Sequence, residues 1–302
     1  HFINLNPSGI EGEVAPGFHR GINRWLPDTK GGFINSVPAQ LTPVTTDTTP
    51  KATYPGAISY VTDIESKLYK FDFTEEWKNF GGMELIFDGE GNNVNQRASF
   101  NAVTPSIDSN NKLWVYFGTG DQQQLQKESS SIKNRVYGLK DNDFPNYQDN
   151  ISLFTVSQCR DVTSKSANCP SDNEKGWYIN LKTNEKTTGA PTVANRTVYY
   201  PTYIPNSTNP CNPGLAYLSS ADYKCGTTLN NTSLGAGVAS EAIIYKGNIY
   251  IGLSGTTQNQ NTGTSSLPTG WTQKDNLIVG TPPAGRGSGG KTINIESWRH
   301  VF

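Results

Sequence analysis

One pattern recurs often enough along the chain to limit its fold: a small residue or proline, a short apolar strand, a tight polar turn, then a stronger aromatic strand. It is written in TPSIDSNNKLWVYFG from Thr104, in APTVANRTVYYPTY from Ala190 and in SEAIIYKGNIYIGLSG from Ser240, whose starts lie 86 and 50 residues apart. An earlier hairpin reads AISYVTD then SKLYKFDF, with Asp63 to Ser66 as the turn and Tyr69, Phe71 and Phe73 alternating with polar neighbours. A repeat of about 40 to 50 residues built from four short antiparallel strands is a propeller blade. The expected fold is all-β, a partial or modified β-propeller of four-stranded blades with long loops and an extended N-terminal segment. A large β-sandwich is the alternative.

Composition agrees with many turns between aromatic strands: 30 Gly and 18 Pro stand beside 14 Tyr, 12 Phe and 6 Trp, too many aromatics for a disordered chain. Residues 1–56 carry little hydrophobic periodicity and end in a Thr/Pro stretch, so they read as an extended segment or linker. Residues 57–302 form the propeller-like domain. At about 45 residues per blade, less the long loops, they supply roughly four blades. An open ring leaves a sheet edge and a blade face uncovered, so the missing strands are expected from a second polypeptide or the upstream part of the same precursor.

Lys plus Arg number 25 against 26 Asp plus Glu, without blocks of like charge, so nucleic acid is not an expected partner. No run approaches the ~20 apolar residues of a helical membrane span. The cysteines, Cys159, Cys169, Cys211 and Cys225, sit in polar, turn-rich loops without a C-x-x-C pair. Two disulfides and an exported, oxidising location follow. Of three possible connectivities, Cys159 to Cys169 with Cys211 to Cys225 is favoured, because short loops close cheaply.

Chemistry-bearing motifs are sparse. His1, His19 and His300 stand in no catalytic motif, and the six tryptophans are dispersed as blade-core residues would be. A calcium site could use Asp141, Asp143 and Asp149 of DNDFPNYQD, against the reading of that run as a solvated loop, since Pro145 interrupts it and no glycine supplies the sharp turn. FDGEGNN and GRGSGG read as a turn and a connector. The chain is expected to act without a catalytic residue or a bound cofactor, calcium apart. The competing readings are a secreted propeller enzyme, quinone-dependent or glycan-cleaving, and a structural subunit of an extracellular filament.

The run GWYINLKTNEKTTGAPTVANRTVYYPTYIPNSTNPCNPGLAYLSSADYKCG, Gly176 to Gly226, resembles the C-terminal β-propeller domain of the PilY/PilC family of type IV pilus tip and biogenesis proteins. YVTDIESKLYKFDF, VYFGTG followed by RVYGLKD, GAGVASEAIIYKGNIYIGLSG and the closing ESWRHVF are similar in the same order, so the resemblance covers about Ala57 to Phe302. It implies an exported, cell-surface protein at the pilus tip. The implied roles are in pilus assembly, attachment and twitching motility, with type IV pilin or minor pilins and a host or surface glycan or protein receptor as partners. The family's calcium loop before the first hairpin has no counterpart, for KATYPGA stands there with no carboxylate between Asp47 and Asp63. Recognition is expected from the polar loops Gln122 to Lys133, Gln158 to Lys175 and Thr257 to Thr272.

Overall fold

The computed structural model describes residues 35–44, 58–72, 82–90, 97–129, 131–144, 153–164, 167–207, 211–255 and 267–282. These form four successive, mainly antiparallel sheets. The first orders β1 (Thr42–Val44), β2 (Ile58–Thr62), β3 (Lys67–Asp72) and β4 (Gly82–Asp88), with β8 (Phe154–Thr155) parallel on its edge. The second orders β5 (Thr104–Ile107), β6 (Leu113–Gly118), β7 (Arg135–Asp141) and β10 (Gly176–Asn180), closed by β9 (Arg160–Asp161) parallel to β10. In the third, β11 (Lys186–Thr187) and β12 (Thr192–Ala194) both pair with β13 (Thr197–Ile204), which leads to β14 (Leu215–Asp222) and β15 (Thr228–Ala236). The fourth orders β16 (Ala239–Tyr245), β17 (Asn248–Leu253), β19 (Leu277–Gly280) and β18 (Thr272–Lys274). The strand pairs foreseen from Thr104, Ala190 and Ser240 are β5 with β6, β12 with β13 and β16 with β17. The first sheet spans the boundary drawn at residue 57, because Thr42–Val44 pairs with Ile58, Ser59 and Tyr60.

Alternation along each strand sends its two faces to different neighbours, which is why the sheets stack in chain order. Ile58, Tyr60, Leu68 and Phe87 of the first sheet meet Leu113, Val115, Phe117 and Tyr137 of the second in one core. The intervening Trp114, Tyr116 and Val136 turn the other way, joining Trp177 against Val198, Tyr200 and Ala221 of the third. Tyr199, Ala216 and Leu218 then pack on Ile249, Ile251 and Ile278 of the fourth. Burying one such side chain is worth about 1.5–3 kcal/mol. The back of the first sheet, Val61, Tyr69 and Phe71, is covered from outside by Ala39 and Leu41. This is the radial stacking of propeller blades.

The innermost strands meet at the centre of the stack, β1 touching β5, and β12 touching both β5 and β16. A repeated hydroxyl bond links them. Thr42 donates to the Val103 carbonyl (2.9 Å), Thr104 to that of Pro191 (2.6 Å) and Thr192 to that of Ala242 (2.5 Å). Each threonine lies opposite a tyrosine on the next strand of its own sheet, Tyr60, Tyr116 and Tyr199 in turn. The fourth sheet keeps the tyrosine, Tyr250, but sets Ile243 opposite it. Gly138 pairs with Trp177 in the second sheet, and a Cβ there would overlap the indole, so only glycine lets the ring lie flat on β7.

Candidate functional site

Among the described residues, the loop leaving β6 is a densely hydrogen-bonded polar feature. A Cβ at Gly118 or Gly120 would collide with Thr187 or Lys186, so these glycines let the strand exit hard against β11. The Asp121 carboxylate then accepts the Gln123 and Gln124 amides, at 3.0 and 3.3 Å, and rounds the turn. Lys186, itself buried, donates its ammonium to the carbonyls of Leu125 (2.8 Å) and Lys127 (2.6 Å). Gln126 donates to the Tyr203 hydroxyl at 2.7 Å, and that hydroxyl accepts the Gly214 amide at 2.8 Å. Gln122 donates to Asn101, and the Ser129 amide to Asn184. Burial lowers the Lys186 pKa, and the charges of Asp121 and Glu128 oppose that shift. The backbone is therefore fixed from both sides, while Gln123, Gln124, Lys127 and Glu128 remain exposed.

The other two candidate loops are described to different extents. Most of Thr257 to Thr272 lies outside the described residues. Gln158 to Lys175 is tied down by a disulfide between Cys169 and Cys225. Cys225 lies just past Asp222, which pairs with Thr197 at the start of β13, whereas Gln126 reaches Tyr203 near its end. The run of β13 from Thr197 to Tyr203 thus separates the two loops by about 20 Å.

The bridge corrects the expected pairing: with Cys169 joined to Cys225, neither Cys159 to Cys169 nor Cys211 to Cys225 forms. Loop-closure cost misled because the partners are brought together by tertiary packing; Gly226, beside Cys225, sits against Trp177 and Val162 at the root of the Cys169 loop. Cys159 is a buried thiol whose Sγ faces the Thr155 carbonyl, and burial pushes its pKa up to about 12. Cys211 is exposed before β14.

Asp141 is no solvated loop ligand. It closes β7 inside the first interface, where its Oδ2 receives the Lys70 ammonium at 2.7 Å and the Tyr60 hydroxyl at 2.5 Å. Its Oδ1 accepts the Asp143 amide at 3.0 Å. Burial, reinforced by the Asp141 charge, raises the Tyr60 pKa well above the ordinary tyrosine value. Asp149 lies outside the described residues, as do KATYPGA, GRGSGG, His1, His19 and His300. Among the described residues no three His, Cys, Asp or Glu side chains come together as a metal site. Trp114 and Trp177 are core residues, and Trp271 packs on the third interface.

Sequence reasoning placed two of the turns but missed that they match. Asp63 Oδ1 accepts the amides of Glu65 and Lys67, and Tyr69 donates to its Oδ2 at 3.3 Å. Asp108 Oδ1 accepts the amides of Asn110 and Lys112, and the Trp114 indole donates to its Oδ2 at 3.2 Å. The signal was available: aspartate, three residues, Lys-Leu, then an aromatic, read at Asp63 and again at Asp108. The electrostatics differ. Burial raises the Asp63 pKa, only partly offset by its hydrogen bonds. Burial also acts on Asp108, but the Lys112 and Asn110 amides, Lys224 at 3.0 Å and Trp114 outweigh it and hold the carboxyl below the usual range.

No family model matches the sequence, and no curated protein matches it. Among solved structures, the chain is similar to the Pseudomonas aeruginosa PilY1 C-terminal domain, with a TM-score of 0.46 and 14% identity over 69% of this chain and 62% of that one. It is also similar to a mutant of Trypanosoma rangeli sialidase displaying trans-sialidase activity, with a TM-score of 0.41 and 12% identity over 75% of this chain and 36% of that one. The chain thus spans less than two thirds of either structure. At these scores neither likeness bears on activity, and the fold rests on the four stacked sheets themselves.

Proposed function

We propose that this is a non-enzymatic, extracellular protein associated with type IV pili, acting by surface recognition in attachment and pilus assembly. The observation that carries the recognition reading is the pinned loop after β6. Its backbone is held by Lys186, Gln126 and Ser129, so the exposed Gln123, Gln124, Lys127 and Glu128 can engage a polar partner without first being ordered. The disulfide supports an oxidising, exported location. The pilus assignment rests on the ordered segments between Ala57 and Phe302 that resemble the PilY/PilC family.

Type IV pilin or minor pilins are the proposed assembly partners, and a surface glycan or protein is the receptor. A second polypeptide or the upstream part of the precursor completes the ring beside the first hairpin. Binding of the purified chain to purified type IV pili, measured by biolayer interferometry, tests the reading. The triple variant Gln123→Ala/Gln124→Ala/Glu128→Ala should weaken binding at least about tenfold with an unchanged melting curve. Absence of pilus binding by the intact chain, or turnover of a glycoside by it, would overturn the proposal.

A further inference from the structure

In the first two sheets the outermost long strand is not left open. β8 lies parallel beside β4, and β9 lies parallel beside β10. The third sheet stops at β15, and among the described residues no strand pairs with its outer edge. An open edge is a template for pairing with another chain, and proteins guard such edges with shortness, proline or charge. The other edge strands among the described residues are no longer than three residues or carry a proline or a charge, as with Pro105 in β5 and Glu241 in β16. β15 is nine residues long, reads TLNNTSLGA and has neither.

Its middle is regular and exposed. Between two bulges, Asn230 to Ser233 run in unbroken register against Ser220 to Tyr217, and Asn230 and Asn231 face solvent. The Asn231 N–H donates at 2.8 Å to the side-chain oxygen of its neighbour Asn230, an exposed bond that an incoming strand's carbonyl can take over. The Asn231 side chain is folded back onto β14, donating to Ser219 Oγ at 2.7 Å. The stretch also lies close to the pinned loop. Tyr203, which holds Gln126, accepts the Gly214 amide, and Asn231 stands opposite Ser219, five residues further along the chain, or about 17 Å. One partner can therefore reach both.

Building on the pilus reading above, we infer that β15 is a strand-addition site. An extended, uncharged segment of the pilus partner runs parallel to it, as β8 and β9 do beside their sheets, and pairs through its main chain with Asn230 to Ser233. With no charge on β15, a Lys or Glu on the incoming strand would find no cross-strand partner.

Hydrogen exchange on the full chain, alone and bound to purified type IV pili, tests the assignment. The amides of residues 229–233 should exchange at least about tenfold more slowly on the pili. Asn231→Pro removes an outward N–H and Asn230→Lys places a charge on the edge, so each should weaken pilus binding at least about tenfold while the cooperative melt persists. Asn230→Ala, which removes only a side chain, should bind within about twofold of the native chain, because the recognised atoms belong to the main chain. Undiminished binding by Asn230→Lys, or unchanged exchange of 229–233 on the pili, overturns the inference and leaves the pilus reading standing. Failure of the native chain to bind pili overturns both. A dimer by light scattering that dissociates in Asn230→Lys also overturns the inference, since a second copy would then occupy the edge.

Discussion

Lys70 on β3 and Asp141 at the end of β7 form an ion pair across the first interface, 2.7 Å from Nζ to Oδ2 and almost wholly out of water. The Tyr60 hydroxyl shares the same carboxylate oxygen. Removing the carboxylate takes a counter-charge away from a buried ammonium, which costs more than the pair contributes. Asp141→Ala should therefore lose about 3–5 kcal/mol in urea unfolding. Lys70→Met/Asp141→Leu should recover most of it. Equal losses in the single and double variants would show that the charge is not what matters.

The disulfide makes a second measurable claim. Cys169 and Cys225 are 56 residues apart, a loop whose closure in the unfolded chain is worth about 4 kcal/mol on the chain-entropy account. Cys169→Ser/Cys225→Ser should lower the unfolding free energy by about that much. Cys159, buried and with its pKa near 12, should resist alkylation at pH 8 until the protein unfolds. Peptide mapping that links Cys159 to Cys169 or Cys225 in the native protein would refute both statements.

The two aspartate turns should respond to pH with opposite signs. Asp108 titrates below the ordinary aspartate range when folded, so its stabilisation is present above that range and is lost as pH falls through its folded value. The penalty of Asp108→Asn should accordingly grow between pH 3 and pH 6. Asp63 titrates above the ordinary range, so its contribution is present in acid and is lost as pH rises through its folded value. The penalty of Asp63→Asn should shrink over the same interval. Melting curves of the two variants against pH decide the matter, and parallel slopes would contradict the assignment.

Each inner-strand hydroxyl bond should be worth about 1 kcal/mol. Thr42→Val and Thr192→Val act at different interfaces, the first and the third, so their losses in guanidinium unfolding should add. A combined loss well below the sum of the two would mean that these interfaces open together rather than independently.

Much of the architecture was legible because alternation and turn chemistry are local. Ile58 to Asp72 announces a hairpin by its aromatics and its Asp63 turn, and the units from Thr104, Ala190 and Ser240 announce the blades. The pairing of Cys169 with Cys225 was not legible, since it depends on the second and third sheets packing around Trp177. Asp141 misled for the same reason: DNDFPNYQD looks like a loop, yet its first residue ends a strand against Lys70, whose sequence neighbours give no hint of a carboxylate from the next sheet. The pinned loop was visible as a polar stretch, but its anchors, Lys186 and Tyr203, lie 61 and 77 residues from the groups they hold.

The bridge also fixes how the molecule would carry a mechanical load. Tension applied to the two ends of the chain crosses from Cys169 to Cys225 through covalent bonds. The strands between them, β10 to β14, stay slack even after their neighbours have been pulled straight. A stretch of 56 residues, roughly 190 Å of contour, is thereby withheld from extension. The last full-length strand of the second sheet and most of the third form a force-shielded block, and only the flanking sheets can act as the compliant part of a tether.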